Sequence, residues 1–375
     1  MRPCSSQVTL NILSDLATPH NNSLLKALAS MPGIKMSLYY AMKSLADLPW
    51  KNDIHDAVMK AQIFGENRIN FGLLWYAVTH RHEKFLLVGW SNPTVRAILI
   101  AFWILRRPFM FWSDHPDESR HRSFWKVRIR RFFFYIVKNR ASHVFAVGRH
   151  TVKYFERRGF AEQKLINLPI FIDLGKPEGR SSSSRKEIRA KYHIIENEVL
   201  YVAASRFVYA KGFDLLIHAI ALIEEKSRQT LKLLLIGHGP EESVLRKLIT
   251  EFHLQDKVYI ESWMEPEQFE TTISAADVFV HPARFDAFGG GTLHAMGAGV
   301  PVIGSSGAGT VVERVVHGVN GLIFQNEDVQ ALAAHLTFFL EHPDAIPGMG
   351  ARARKTAEEW PPERGARILF EAVCG

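Results

Sequence analysis

The sequence predicts an α/β chain built from two doubly wound, parallel-sheet domains. Three observations carry that expectation. Short apolar runs alternate with helix-period segments along the whole chain. The alternation is interrupted once, by the Gly/Ser/charge-rich stretch GKPEGRSSSSRKE, which reads as a surface linker. The length of 375 residues exceeds what one ordinary core supports. The expected divisions are 1–173 for a first Rossmann-like domain, 174–198 for the linker, 199–355 for a second domain and 356–375 for a closing helix.

In chain order, VTLNIL (8–13) reads as a strand, SLLKALASM (23–31) as a helix and KMSLYY (35–40) as a strand. FLLVG (85–89) is a strand, 92–105 a helix and PFMFW (108–112) a strand. HVFAVG (143–148) is a strand, followed by a helix that ends at Gly159. After the linker the pattern restarts with VLYVAA (199–204), a helix over 212–225, LKLLLIG (231–237), a helix over 241–252, KVYIES (257–262), a helix over 266–276 and DVFVHP (277–282). Then come PVIGSS (301–306), a helix near 310–317, GLIF (321–324) and a helical end over 327–373. Two such domains joined by a linker leave a cleft between them, where ligands usually sit.

Composition narrows the function classes. Apolar residues make up 47% and charged residues 22%, as in an ordinary soluble enzyme. The two cysteines, Cys4 and Cys374, form no disulfide framework and no metal-ligand cluster, which suits a reducing cytosol. The first residues lack the apolar core of a signal peptide. The longest apolar run, 97–105, is about half of what a membrane span needs. Charge is uneven: 1–175 holds 25 Lys+Arg against 12 Asp+Glu, a net of +13, and the remainder holds 21 against 26, a net of −5. The first half therefore suits an anionic surface or substrate.

The stretch RFDAFGGGTLHAMGAGVP (284–301) follows an apolar strand and opens a helix. Helix-start amides are unpaired and carry partial positive charge. Gly289, Gly290 and Gly291 would let a phosphate approach them without a Cβ in the way, and Asp286 would accept hydrogen bonds from sugar hydroxyls. A glycine-rich turn shaped only by packing gives the same pattern. In SRFVYAKG, Arg206 and Lys211 stand five apart just after a strand, where two cations suit a diphosphate or are solvated loop charges. IGHGP places Gly237 and Gly239 at a third strand end.

SRFVYAKGFDLLIHAI, LLLIGHGPEESVLRKLI and the run ISAADVFVHPARFDAFGGGTLHAMGAGVPVIGSSGAGTVVERVVHGVNGLIF resemble the C-terminal half of retaining GT-B glycosyltransferases of family 4. The resemblance covers roughly 198–330 and is loose before that. It implies a GT-B fold, two Rossmann-like parallel-sheet domains facing across a cleft, with the C-terminal helix crossing back to the first domain. It implies a nucleotide-sugar donor, UDP being the expected base, with no metal and no cofactor. Arg206 and Lys211 would neutralise the pyrophosphate, Asp286 would hold the donor sugar, and Phe288, Gly289, Gly290 and Gly291 would offer backbone amides. The family's E-x7-E pair falls on Asp286 and His294; an imidazole cannot accept hydrogen bonds twice, as a ribose-binding carboxylate does. Glu313 falls where the family often has a glutamate at a helix start, where capping is its other role. Gly237 joins the donor side, and Ser262 and Met264 lie in the loop expected to meet the base.

For the first domain the resemblance points to WSDHPDE, where Asp114 and His115 would hold the acceptor or the leaving phosphate; a surface loop is the alternative. In SDLATPHNNSLL, His20 is left on the acceptor side and Asn22 is read as a helix cap. RHRSFWKVRIRRFFFYIVKNR (120–140) has eight Lys/Arg and no acid. Its Trp125, Ile129, Phe132, Phe133 and Ile136 share one helical face. That stripe is expected to be buried while the arginines face an anionic membrane or simply solvent. No nucleic-acid motif accompanies it.

The resulting expectation is a retaining hexosyltransferase, cytoplasmic or peripheral on the cytoplasmic membrane face. It would act on a lipid-linked or polysaccharide acceptor in cell-surface glycan biosynthesis, such as that of lipopolysaccharide. The alternatives are a non-catalytic GT-B protein that binds a nucleotide, sugar or partner, and a sugar-nucleotide epimerase.

Overall fold

The computed structural model describes residues 7–16, 18–42, 61–66, 68–118, 123–174 and 182–375. It divides into two compact units, Met1–Asp173 with Pro361–Gly375, and Leu174–Trp360.

The first unit holds seven strands: β1 (Val8–Leu16), β2 (Ile34–Met42), β3 (Ala61–Ile63), β4 (Lys84–Val88), β5 (Phe109–Ser113), β6 (Ala141–Ala146) and β7 (Leu165–Asn167). Their spatial order is β3-β2-β1-β4-β5-β6-β7, and every pairing is parallel. Its helices are α1 (Pro19–Ala29), α2 (Phe71–Thr79), α3 (Pro93–Ile104), α4 (Phe124–Arg140) and α5 (Gly148–Glu156). The strands are apolar runs rather than alternating ones, as expected for a sheet covered on both faces. Phe85, Phe102 and Phe111 are fully buried in the core of this layer, and each contributes about 1.5–3 kcal/mol by leaving water.

The second unit opens with α6 (Ser182–Lys191) and holds β8 (Val199–Ala204), α7 (Phe213–Leu222), α8 (Glu225–Arg228), β9 (Leu231–Ile236), α9 (Glu242–Glu251), β10 (Val258–Glu261), α10 (Pro266–Ala275), β11 (Val278–His281), α11 (Gly290–Gly297), β12 (Val302–Ser305), α12 (Gly309–Arg314), β13 (Gly321–Phe324), α13 (Val329–Glu341) and α14 (Ala345–Glu358). Its sheet is again wholly parallel, in the order β10-β9-β8-β11-β12-β13. The last helix, α15 (Pro362–Cys374), belongs to the first unit, where Lys84 Nζ donates to the Val373 carbonyl at 2.6 Å. Gly365 lets α15 approach closely, because a Cβ there would lie 2.6 Å from both Leu24 and Phe171.

Both sheets reverse their winding once, between β1 and β4 and between β8 and β11. In an open α/β sheet, the crevice at the carboxyl ends of those two strands is where ligands bind.

Several local expectations change. Residues 175–181 of the expected linker lie outside the described residues, but Ser182–Lys191 is helical. Arg185 and Arg189, one turn apart, anchor it on Asp277 at 2.5 and 2.9 Å. Helix α1 is capped by Thr18, whose hydroxyl accepts from the Asn21 amide at 3.3 Å; Asn22 lies inside the helix and accepts from the Tyr40 hydroxyl at 3.2 Å. In α4, Phe133 and Ile136 are buried as expected, but Trp125, Ile129 and Phe132 are 71%, 47% and 40% exposed. The stripe turns away from the sheet over its first two turns, and residues 120–122 lie outside the described part. Cys4 lies outside the described residues.

Candidate active site

The second unit brings Lys211, Asp286 and the glycine run near the switch point. The β8 strand ends at Ala204, and the chain then makes one turn of 3₁₀ helix over Tyr209–Lys211 before α7. Gly212 begins α7 with φ 67°, and a Cβ there would lie 2.1 Å from the Pro282 carbonyl, so only glycine fits. This turn aims Lys211 at Asp286, which follows β11: Nζ lies 2.6 Å from Oδ2. The same oxygen is 3.1 Å from His281 Nε2, and His281 Nδ1 is 2.7 Å from the Thr292 hydroxyl. The Asp286 backbone is held too, its amide donating to Gly307 and its carbonyl accepting from Gly309.

Burial alone would raise the Asp286 carboxyl. The Lys211 charge and the His281 contact outweigh it and hold the group well below its ordinary value. Asp286 is therefore an anion at neutral pH, with its free lone pairs available as acceptors.

The glycine run supplies the start of α11. Gly289 adopts φ 98°, and a Cβ there would fall 2.1 Å from His281 Cε1. The amides of Gly290 and Gly291, in the first turn, have no hydrogen-bond acceptor among the described residues. Phe288 departs from expectation: it is buried and its amide donates to Asp286 Oδ1 at 3.3 Å, so it steadies the carboxylate instead of offering a donor.

Arg284 is a member of the site that the sequence did not single out. Its guanidinium forks onto Asp214 at 2.7 and 2.6 Å, stacks 3.9 Å over the Tyr209 ring and pairs with Glu327. It thereby clamps the turn that carries Lys211. His281 was read only as a strand residue. Arg206 is exposed and makes no ion pair with a described residue. Gly237 and Gly239 fit closely: Cβ atoms there would lie 2.0 Å from the Ser205 carbonyl and 2.3 Å from the Phe207 carbonyl.

His294 lies on α11, with Nδ1 3.7 Å from Glu270 Oε1 on α10 and its ring edge-on to Phe269. A carboxylate thus stands beside the position where the imidazole replaced one. Ser262 is exposed, but Met264 is packed into the core and accepts from Thr272, so its side chain is not presented to a ligand. Between them, Trp263 Nε1 is buried with no hydrogen-bond partner among the described residues, and its ring meets His238 edge-on. Glu313 is the fifth residue of α12 and does not cap it; its side chain is 1% exposed, beside Arg314 at 3.7 Å.

The first unit has its own arrangement at strand ends. His115, after β5, is buried, with Nδ1 2.9 Å from the Thr151 hydroxyl. Burial, then the neighbouring His150, lowers it to about 4, so it is neutral at physiological pH. Asp114 beside it is exposed. His20 lies in the first turn of α1 and is also lowered by burial. Asp15, at the end of β1, was not anticipated. It accepts from the Ser91 hydroxyl, and burial raises it to about 6 despite Arg96.

Residues 184–360 match the family model described as Glycosyl transferases group 1. The second unit is a glycosyl transferases group 1 domain. The chain is 29% identical over 222 residues to the GDP-mannose-dependent monoacylated alpha-(1-6)-phosphatidylinositol monomannoside mannosyltransferase of Corynebacterium glutamicum, covering 57% of each chain. It is 28% identical over 248 residues to the GDP-mannose-dependent alpha-(1-6)-phosphatidylinositol monomannoside mannosyltransferase of Mycolicibacterium smegmatis, covering 64% of each. The match thus spans less than two thirds of the length of these curated relatives. Among solved structures, Anabaena HepE in complex with UDP aligns with a TM-score of 0.76 at 20% identity, over 97% of this chain and 99% of that one. WaaG, a glycosyltransferase involved in lipopolysaccharide biosynthesis, aligns at 0.67 and 15%, over 96% and 99%. At such identities the likeness concerns the fold, and the fold is GT-B. The group 1 domain contains the Lys211–Asp286 pair, the glycine run and the His294–Glu270 pair.

Proposed function

We propose that this chain transfers a hexose, with retention, from a nucleoside-diphosphate sugar to a hydroxyl of a lipid-linked or polysaccharide acceptor. The observation that carries this reading is the Lys211–Asp286–His281 cluster beside the open amides of Gly290 and Gly291, at the switch point of the second sheet. Lys211 has donors to spare beyond Asp286, and Arg206 is an exposed second cation. Together with the amides they take up the charge that develops as the bond from sugar to diphosphate breaks, with no metal assigned to that task. Asp286 accepts from sugar hydroxyls. His294, with Glu270 behind it, takes the ribose. Trp263 and His238 line the side of the base. On the acceptor side, neutral His115 with Asp114, His20 and Asp15 offers hydrogen-bond partners.

UDP remains the proposed nucleotide; it is the one in the HepE complexes, whereas the mannosyltransferase relatives are GDP-mannose-dependent. We place the protein on the cytoplasmic membrane face, held by α4. No described helix is long and apolar enough to cross a membrane. The second reading, a donor-binding protein without turnover, is favoured by His294 alone.

The test is a panel of UDP-, GDP- and ADP-sugars with a chelator present, read by thermal shift and by sugar release. A shift with one donor plus release supports the transferase. A shift without release, persisting with acceptor extracts, supports the binding protein. No shift with any donor overturns both.

A further inference from the structure

We infer that the groove between α4 and α5 is a binding pocket for a phosphate ester, carried by a lipid headgroup or a soluble metabolite. The inference is independent of the donor site, and it replaces a diffuse basic surface by one discrete place. The groove is open to solvent and has a volume of about 660 Å³. Five cations line it: Arg130, Arg131 and Lys138 from α4, and Arg157 and Arg158 from the end of α5 and the turn beyond. Phe134, Tyr154 and Phe160 supply apolar and aromatic lining.

The groove is built rather than incidental. Arg130 lies 5.3 Å over the Phe134 ring and donates to the Tyr154 hydroxyl. Arg158 stacks 3.7 Å over the Tyr154 ring and pairs with Glu118 at the margin. Lys138 is folded in by donating to the Arg158 carbonyl at 3.2 Å. The turn that permits this has Gly159 at φ 72°, where a Cβ would lie 2.8 Å from Lys138 Nζ. Arg131 and Arg157 are exposed and pair with no described acid.

Five like charges line one groove and repel each other, with Glu118 paired to Arg158 at the margin. A multivalent anion relieves the repulsion. A phosphate fits better than a carboxylate, because its several oxygens accept from more than one guanidinium fork. The aromatic lining accommodates the organic part of the ester.

The experiment uses the full chain in two arms: cosedimentation with equimolar phosphatidylcholine and phosphatidic acid vesicles, and calorimetry with glycerol 3-phosphate. Two charge-matched double variants are compared: Arg131→Gln with Arg157→Gln, inside the pocket, and Lys126→Gln with Arg128→Gln, on the same helix outside it. At about fivefold per cation, the pocket pair should lose about twenty-five-fold in whichever arm binds. The outer pair should leave glycerol 3-phosphate binding unchanged and cost clearly less on vesicles. Vesicle binding assigns the site to a lipid headgroup; calorimetric binding alone assigns it to a soluble ester. Equal losses from both pairs, or no binding in either arm, would overturn the pocket. If the pocket pair fails to fold, displacement of the intact chain from vesicles by glycerol 3-phosphate decides, and absence of binding or displacement refutes the inference.

Discussion

Replacing Lys211 by alanine strands a carboxylate. The Lys211 ammonium is 2.6 Å from Asp286, and the two side chains are only 13% and 15% exposed. Breaking a well-buried pair by deleting one partner costs about 3–5 kcal/mol. Here His281 remains 3.1 Å away, and the residual exposure admits water. The expected loss is therefore about 2–3 kcal/mol, or about 5–10 °C in the melting of the second unit. The pH dependence has a definite sign. The Asp286 carboxyl sits below its ordinary value of 3.8 in the folded protein. The folded state thus binds fewer protons than the unfolded one in the window below 3.8. The pair's contribution is fully present above about pH 4 and is lost as pH falls through the folded value. The variant's deficit should be largest at neutral pH and shrink toward acid. Denaturant titrations at neutral pH and below about pH 4 measure it, and calorimetry with the donor should show a loss of about ten- to a hundredfold in affinity. An unchanged midpoint at neutral pH would refute the energetic argument; unchanged donor affinity would remove Lys211 from the phosphate site.

Gly289→Ala places a methyl against His281 at positive φ, so it should destabilise the second unit by about 2–4 kcal/mol and weaken donor binding, as read by melting and calorimetry. A wild-type melt would mean that the loop relaxes. Asp15→Asn should stabilise the first unit by about 1–2 kcal/mol above pH 6 while lowering turnover. The sign follows from a carboxyl raised to about 6, whose ionisation costs stability progressively from about 3.8 upward; a variant that is neither more stable nor slower retires this reading. His294→Glu faces a second carboxylate, Glu270, and should bind donor up to about fivefold less tightly than the same change combined with Glu270→Gln. Equal binding by the two variants would show that Glu270 does not bear on the site.

The second domain was legible because its signals are local. A strand, an acid, a glycine run and a helix follow one another within 277–297, and so the sequence places Asp286 and the glycines correctly on a loop and a helix start. Pairings across the sheet were not legible. Lys211 and Asp286 were each read as facing a ligand, and their mutual contact depends on β8 and β11 being neighbours. Arg284 and His281 act through the same adjacency. Glu270 reaches His294 only because α10 packs beside α11. The serine-rich stretch before 185 masked a helix whose i, i+4 arginines were its one visible signal. In the first unit, Asp15 and Ser91 meet because β1 neighbours β4, a pairing of residues 76 apart in sequence. The partly exposed stripe of α4 reflects a helix whose apolar arc is wider than the surface it covers.

The placement of α15 sets an order of synthesis. The second unit ends at Trp360, and the first unit is completed only by Pro361–Gly375. Leu24 and Phe171, almost fully buried in the finished protein, are packed against by α15 at Gly365, which leaves the ribosome only after the second unit. The domain begun first is thus finished last, with the later one folded in between. Removing Pro361–Gly375 would spare the second unit and leave the first one open to proteases.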